Sequence, residues 1–507
     1  MDIYTNPANN TYVTGITKLF LMPTKSGGIP AVAVTKKTAD YITSAYTILM
    51  ILMFMVGWNL ILGVITVFWH TNDDKDNQTA LDILRSSGES MKATVLMISY
   101  CVKAISREKK TVGHRLWSLL TLFIAFAFSV GNIAAGILVP GQLSMGNVAP
   151  PAKDAIFYPD IASYVRFDDN NAGIAKLNLL QAPSALRALG AIQVSNATAL
   201  ERVHIDSGIV GGSARLSYDY NVTGVDMGLQ SDPKLRLRVK GLCHTDDTWL
   251  LNSTDQGDTY RLFGGNDTLE VKYQPEVDLP PMVDFWVDTN TDRESNFSYA
   301  MIVNTGGCYS YTSSEDPWYA TDKAGGNELV PYRVRRKRPV LSCWEAKTWH
   351  LNGKDVEGSK LDTLPGLKLD KLWVNQVFPF EFTVPRVVRV GRAAGPSALK
   401  SAFYALAPVY ILDAGASNIV KDLERLVLAS WVSSGNVLRD TTTYDTEGVE
   451  NLAKGPRGSV EAASAKFVLQ SRDVVTLSVR ILISVPFILL FLVIVREILR
   501  WHLESKK

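Results

Sequence analysis

Three long apolar segments divide an otherwise polar chain and predict its organisation. The clearest, from Leu116 to Val139, reads LWSLLTLFIAFAFSVGNIAAGILV and contains 24 residues without a charge. A helix needs about 20 apolar residues to span a bilayer, so this segment is long enough to cross once. Comparable segments lie at about 45–69 and 474–495. The last contains Pro486, which should kink the helix or be compensated by a neighbouring one.

The distribution of basic residues predicts the orientation of these helices. Five basic residues precede the second apolar segment, and only Lys153 follows it over a comparable distance. Because basic residues accumulate on the cytosolic side, the chain after Pro140 is expected to be lumenal or extracellular. The first segment alone favours the opposite orientation, since Lys25, Lys36 and Lys37 precede it. We give the second segment more weight because its asymmetry is five to one.

The predicted layout has seven consecutive parts. The N-terminal tail shows little periodicity and reads as flexible. The link after the first helix contains an amphipathic segment whose apolar core, Ala93 to Val102, is only ten residues long. That length suits a helix packed on the bundle or on the membrane face. The parts are a lumenal tail (1–44), a first transmembrane helix (45–69), a cytosolic link (70–115), a second helix (116–139), an ectodomain (140–473), a third helix (474–495) and a cytosolic tail (496–507).

The ectodomain shows two kinds of periodicity. From about 214 to 395 the chain alternates polar and apolar residues in short runs such as ARLSYDYNV and LRLRVKGL, which is typical of strands. Alanine- and leucine-rich stretches at 171–192 and 397–438 have helical spacing. These patterns predict a large β-rich α+β domain.

Glycosylation sequons are concentrated in the part expected outside the cytosol. Five lie within about 100 residues of the ectodomain and a sixth in the tail, and we expect them on solvent-facing turns. A seventh, at Asn77, falls in the cytosolic link and should be unused. The six candidate sites are Asn9, Asn196, Asn221, Asn252, Asn266 and Asn296.

Three of the four cysteines, Cys243, Cys308 and Cys343, share the oxidising compartment. Any of three pairings gives one intrachain disulfide and one remaining thiol. The remaining thiol offers the alternative of a covalent dimer. Cys101 belongs to the cytosolic link, where a reduced thiol is expected.

The densest charged cluster is a basic patch near the middle of the ectodomain. Three interpretations are open: an edge strand protected by charge, a site for an anionic ligand or lipid headgroup, and a proprotein cleavage site disfavoured by Pro339. The formal net charge of +2 and the topology argue against nucleic acid. The patch comprises Arg333, Arg335, Arg336, Lys337 and Arg338.

Other candidate chemistry is sparse. Asn59 and Asn132 are the polar residues inside the first two spans and could bond each other. Asp288 to Glu294 imitates the start of a calcium loop but has Arg293 where glycine is required. The catalytic and nucleotide-binding motifs that we sought are lacking, so no cofactor, metal or catalytic residue is predicted. Whether the ectodomain catalyses a reaction stays open.

The run Arg338-Pro-Val-Leu-Ser-Cys-Trp-Glu345, followed by Trp349 and Asn352-Gly353, resembles a motif in uncharacterised membrane proteins of filamentous ascomycete fungi. Those proteins are similar in layout, with N-terminal spans, a glycosylated ectodomain and a C-terminal span. The resemblance implies no activity and no functional residue.

These observations predict an integral protein of the plasma membrane or of a secretory-pathway endomembrane. The leading function is non-enzymatic binding or scaffolding, with the lipid bilayer and a protein partner or a second copy as partners. One alternative is a membrane-tethered enzyme or accessory factor for a lipid-like or secondary-metabolite substrate. The second alternative is an oligomeric channel subunit.

Overall fold

The computed structural model divides into two compact units. The helical unit comprises Thr14–Phe20, Ile29–Ala149 and Gln470–Lys507, and the β-rich unit comprises Met1–Val13, Leu21–Gly28 and Pro150–Leu469. The structure describes residues 7–69, 90–106, 112–152, 156, 158–159, 172–273, 280–288, 296–324, 329–371, 373–406, 411–443, 452–453 and 466–504.

The helical unit contains three helices that are long and apolar enough to cross a membrane, as predicted. Their apolar stretches are Lys36–Ile65, Leu119–Leu143 and Val479–His502. The first helix begins nine residues earlier than the sequence indicated, and the third begins five residues later, because residues 474–478 form a strand. The helices of this unit, numbered in chain order over the whole molecule, are α1 (Lys36–Trp69), α2 (Ser90–Ser106), α3 (Val112–Leu143) and α9 (Val479–Glu504).

One small antiparallel sheet contains the strands that directly precede α1 and α9 and the strand that directly follows α3. Strand β23 (Val474–Ser478) pairs with β2 (Gly27–Thr35) on one side and with β3 (Ser144–Gly146) on the other. Helix α1 begins directly after β2, α9 begins directly after β23, and α3 ends directly before β3. Phe54 and Gly57 of α1 lie against Gly131 and Phe128 of α3, respectively. Helix α1 therefore runs in the direction opposite to α3, which is the relative direction that the layout weighted on the second segment implies.

The N-terminal segment is ordered, so its interpretation as a flexible tail was wrong for the described part. Residues Leu19–Thr24 form β1, and β2 follows after a two-residue turn. Ala31, Val32, Ala33 and Val34 of β2 are all buried. Because both faces of this strand are covered, it has a continuous apolar run and not the alternation that marks a half-buried strand.

Helix α9 contains Pro486, and helix α1 compensates for it. Proline lacks an N–H, so the carbonyl of Leu482 four residues earlier has no partner within the helix. The hydroxyl of Tyr46 donates a hydrogen bond to this carbonyl at 2.6 Å. Of the two outcomes expected for Pro486, a kink or compensation by a neighbouring helix, the structure shows compensation, with a tyrosine as donor.

Helix α2 packs on the bundle. Ala93 and Met97 are fully buried against Trp58 of α1 and Ala125 of α3. The opposite side of α2 is mostly apolar too, and Val95 remains 62% exposed. The polar outer face expected of an amphipathic helix is thus largely replaced by an apolar one.

The β-rich unit is built on a seven-stranded antiparallel sheet covered on one face by helices. The strand order is β12-β13-β17-β8-β7-β6. Strand β18 pairs with residues 348–351 of β17, beyond the part of β17 that pairs with β13. Helices α4 (Ala172–Arg202), α6 (Arg386–Ala394) and α7 (Ile419–Gly435) pack together on the sheet. The strands are β6 (Val203–Val210), β7 (Ser213–Thr223), β8 (Arg236–Asp246), β12 (Val283–Val287), β13 (Asn296–Val303), β17 (Val340–Leu351) and β18 (Lys354–Glu357).

Smaller sheets flank the large one. One has the order β11-β10-β9 and another the order β15-β16-β14-β20-β19. Their strands are β9 (Leu250–Ser253), β10 (Gly257–Tyr260), β11 (Leu269–Lys272), β14 (Tyr309–Ser310), β15 (Thr321–Lys323), β16 (Tyr332–Val334), β19 (Ala405–Leu406) and β20 (Ile411–Leu412). The remaining short elements are β4 (Val148–Ala149), β5 (Tyr158–Pro159), β21 (Leu452–Ala453), β22 (Leu469–Gln470), α5 (Phe378–Phe382) and α8 (Val437–Asp440).

The α+β class is confirmed, but two boundaries were wrong. The end of the segment predicted as strands contains α5 and α6. The beginning of the second predicted helix contains a 3-10 turn (Ser401–Tyr404), β19 and β20 in its described residues. Pro396 and Pro408 interrupt this segment and cannot donate backbone hydrogen bonds, which opposes one continuous helix.

Candidate functional site

The basic patch lies between a strand and a tightly anchored turn. Arg333 belongs to β16, which has a neighbouring strand on both sides and is therefore not the edge strand considered from the sequence. The chain then turns, and Arg338 enters the interior with only 3% of its surface exposed. A protease would need an extended and accessible bond after Arg338, so the folded geometry disfavours processing at this position.

A buried carboxylate anchors the turn. Asp258 is fully buried and lies 3.8 Å from the Arg338 guanidinium. It accepts hydrogen bonds from the hydroxyls of Tyr260 and Tyr273. Burial, assisted by the bond to Asp258, raises the pKa of Tyr273 to about 12, so its hydroxyl stays a donor at neutral pH. Arg338 also donates to the hydroxyl of Thr305 at 3.2 Å.

Lys337 occupies a left-handed backbone conformation with φ of 60°. Its N–H donates to Oδ1 of Asp258 at 3.3 Å, so the anchored carboxylate holds the turn. A non-glycine residue in this conformation costs about 1–2 kcal/mol. The side chain of Lys337 is exposed.

Beside this turn lies a groove of about 980 Å³, which we call the basic groove. Five cationic side chains line it against two carboxylates, Asp255 and Asp322. Among the residues that the structure describes, Lys323 and Lys337 have no ion-pair partner. The cations are Lys323, Arg333, Arg335, Arg336 and Lys337.

The three arginines of the groove are held in place. Arg333 donates to the Gly307 carbonyl at 3.0 Å and lies 4.8 Å from the Tyr309 ring centre. Arg335 pairs with Asp322 at 2.8 Å, and Arg336 pairs with Asp255. Exposed ion pairs of this kind contribute roughly 0–1 kcal/mol each to stability. They therefore orient the guanidinium groups but are weak enough to exchange for the carboxylate of a ligand.

The cysteine pairing is Cys243–Cys343, between directly opposed residues of β8 and β17. The bond joins positions 100 residues apart and lies in the core of the sheet. Cys308 is the remaining thiol of the β-rich unit; it is partly buried, and burial raises its pKa. Cys101 lies outside the disulfide and is buried in α2.

Most described sequons lie on regular elements and not on the turns that we expected. Asn221 and Asn252 are exposed on β7 and β9, whereas Asn9 and Asn266 are exposed at a turn and a bend. The backbones of Asn196 and Asn296 belong to α4 and β13, but their side chains are not among the described ones. Asn77 lies outside the described residues altogether.

Asn59 and Asn132 are not brought together. Gly57 and Trp58 of α1 meet Phe128 of α3, and Phe54 lies against Gly131. Because the helices are antiparallel, this register places Asn59 and Asn132 at different depths. No hydrogen bond joins the two amides in the described part of the chain.

Sequence reasoning missed a buried polar cluster on β17. Glu345 and Lys347 are at most 1% exposed and lie 3.2 Å apart. Lys347 donates to the Phe382 carbonyl at 2.6 Å, and the Tyr218 hydroxyl donates to Glu345 at 2.8 Å. Burial lowers the pKa of Lys347 to about 8. The sequence contained a signal for this cluster, because residues two apart in a strand share a face. Glu345 and Lys347 therefore lie on the same face of β17 as the apolar Trp349, which is buried.

Other candidates are resolved differently. The described residues contain no group of three or more histidine, cysteine, aspartate or glutamate side chains that could hold a metal ion. The residues 289–294 of the calcium-like loop lie outside the described ranges. Trp318, Trp349 and Trp373 are core residues, while Trp344 is 39% exposed on the open face of the large sheet.

Together these features define a class: a β-rich α+β domain with a cationic groove, in a chain whose three apolar helices indicate membrane association. Residues 182–469 match the family described as "Domain of unknown function (DUF8406)". The match covers more than half of the 507 residues, so the chain belongs to this family. No curated protein and no solved structure shows significant similarity to the chain.

Proposed function

We propose that this protein is an integral membrane protein whose β-rich unit is lumenal or extracellular and binds an acidic segment of a protein partner in the basic groove. The observation that carries the proposal is the convergence of five cations on one groove, two of them lysines without an ion-pair partner among the described residues. The exposed sequons at Asn9, Asn221, Asn252 and Asn266 support the placement outside the cytosol.

The composition of the groove favours a peptide over a dense polyanion. The lining carboxylates, Asp255 and Asp322, would repel a uniformly sulfated or phosphorylated chain. Arg335 and Arg336 already bind carboxylates of this chain, so a carboxylate from a partner matches their geometry. The volume of the groove suits a segment of several residues.

The test measures binding of a fluorescein-labelled octapeptide with four alternating glutamates to the full chain in nanodiscs. Replacing Lys323 and Lys337 together by glutamine should weaken binding by about fivefold to twentyfold and flatten its salt dependence. The matched control replaces Lys240 and Lys354, two exposed lysines outside the groove, and should leave binding unchanged.

Equal binding by the groove variant and the control would refute the role of the groove. Tight binding of a heparin hexasaccharide with no binding of the peptide would refute the acidic-peptide assignment. Unfolding curves that coincide for all variants would show that the comparison concerns binding alone.

A further inference from the structure

A second concave surface of the β-rich unit is independent of the basic groove. It is a pocket of about 580 Å³ between α4, α7 and the 3-10 turn Ser401–Tyr404. Small-molecule sites typically measure about 300–1,000 Å³, so this pocket has the size of one compact ligand.

Part of the pocket wall is apolar and open to solvent. Phe403 is 59% exposed and Leu200 is 47% exposed, and Leu428 lies beside them in the lining. Large apolar side chains that converge in a concave site favour a ligand with an apolar body.

A second part of the wall is cationic. Lys400, Lys421 and Arg425 line the pocket together with a single carboxylate, Glu424. Glu424 already accepts a hydrogen bond from the Ser207 hydroxyl at 2.8 Å. The described lining therefore carries a net positive charge.

Arg425 links the two parts of the wall. Its guanidinium lies 5.0 Å from the centre of the Phe403 ring. Arg425 and Phe403 both line the pocket, so the cationic and apolar parts of the wall meet at this contact.

We propose that this pocket binds a small amphipathic organic anion, with its acidic head on Arg425 and Lys421 and its apolar body on Phe403, Leu200 and Leu428. A carboxylate or sulfonate head can accept two hydrogen bonds from the guanidinium fork. A fatty acid and an aromatic acid share this chemistry.

The experiment follows the fluorescence of 8-anilinonaphthalene-1-sulfonate with the full chain in zwitterionic nanodiscs, after subtraction of empty nanodiscs. Arg425→Met, which keeps the length of the side chain, should weaken the affinity at least tenfold, and Lys421→Gln about threefold. Arg215→Met, an exposed arginine on the open sheet face, is the matched control. The double lysine variant of the basic groove should bind the probe as the unaltered chain does.

Competition tests the two parts of the ligand separately. Naphthalene-1-sulfonate should displace the probe at least tenfold better than the uncharged naphthalene-1-sulfonamide. Displacement by octanoate would indicate the fatty-acid source, and its failure beside an effective naphthalene-1-sulfonate would indicate the aromatic source. Unchanged affinity of both Arg425→Met and Lys421→Gln, or equal displacement by the neutral compound, would overturn the proposal. Lys421→Gln keeps it testable if Arg425→Met does not fold, since Lys421 is exposed.

Discussion

At the scale of single residues, Lys337 combines backbone strain with a charge that faces solvent. Its positive φ would suit glycine or asparagine, and Asn352 adopts such a conformation in the two-residue turn between β17 and β18. Residues in strained backbone conformations cluster at functional sites, so a lysine at this position is consistent with a role of its side chain in binding.

The change Lys337→Gly should therefore separate stability from binding. We expect the free energy of unfolding to rise by about 0.5–1 kcal/mol because the left-handed strain is relieved. The acidic octapeptide should bind about threefold more weakly because one cation is lost. Asn352→Gly, outside the groove, should change stability less and binding not at all. A Lys337→Gly chain that is less stable and binds equally well would contradict both roles.

At the scale of secondary-structure elements, the interface between α1 and α9 contains a hydrogen bond that one proline makes possible. Pro486 leaves the Leu482 carbonyl without a helical partner, and Tyr46 satisfies it across the helix interface. In a membrane an unsatisfied carbonyl finds no water, so the tyrosine hydroxyl should matter more than at an aqueous surface.

Tyr46→Phe should lower the free energy of unfolding by about 1–2 kcal/mol, measured by denaturation in mixed micelles. In the Pro486→Ala background the same change should cost close to nothing, because alanine restores the N–H for Leu482. Tyr41→Phe, on an exposed tyrosine of the same helix, is the control and should be neutral in both backgrounds. Equal costs with and without Pro486 would show that the hydrogen bond does not compensate the proline.

At the scale of the whole molecule, the disulfide ties together strands from distant parts of the β-rich unit. Cys243 and Cys343 are 100 residues apart in the chain and opposite each other in the sheet. Closing a loop of that length reduces the freedom of the unfolded chain.

Replacing Cys243 and Cys343 together by alanine should lower the stability of the β-rich unit by about 3–5 kcal/mol, measured from tryptophan fluorescence during urea unfolding. Cys308→Ala should cost less than about 1 kcal/mol. On a non-reducing gel the unaltered chain should run as a monomer. A covalent dimer that disappears with Cys308→Ala would instead support the intermolecular disulfide considered from the sequence. The enzymatic and channel alternatives stay predictions at this scale.

Structural features that depend on residues close together in the chain could be predicted from the sequence. The three apolar helices depend on segment length, which is visible in the chain. The alternation of β7 and β8 predicted strands for the same reason. That Pro486 leaves one carbonyl without a helical partner follows from the chemistry of a single residue, whereas the hydrogen bond from Tyr46 is a tertiary contact. Strand β2 was missed because burial on both faces removes alternation, and α6 was missed because it is short.

The sequence by itself determined the membrane-associated class, the α+β composition and the position of a dense cationic cluster, since each depends on neighbours along the chain. Only the tertiary structure decided which cysteines pair, which of the arginines is buried, and that Glu345 and Lys347 meet in the core. These outcomes depend on contacts between residues far apart in the chain, and local patterns carry no information about such distances.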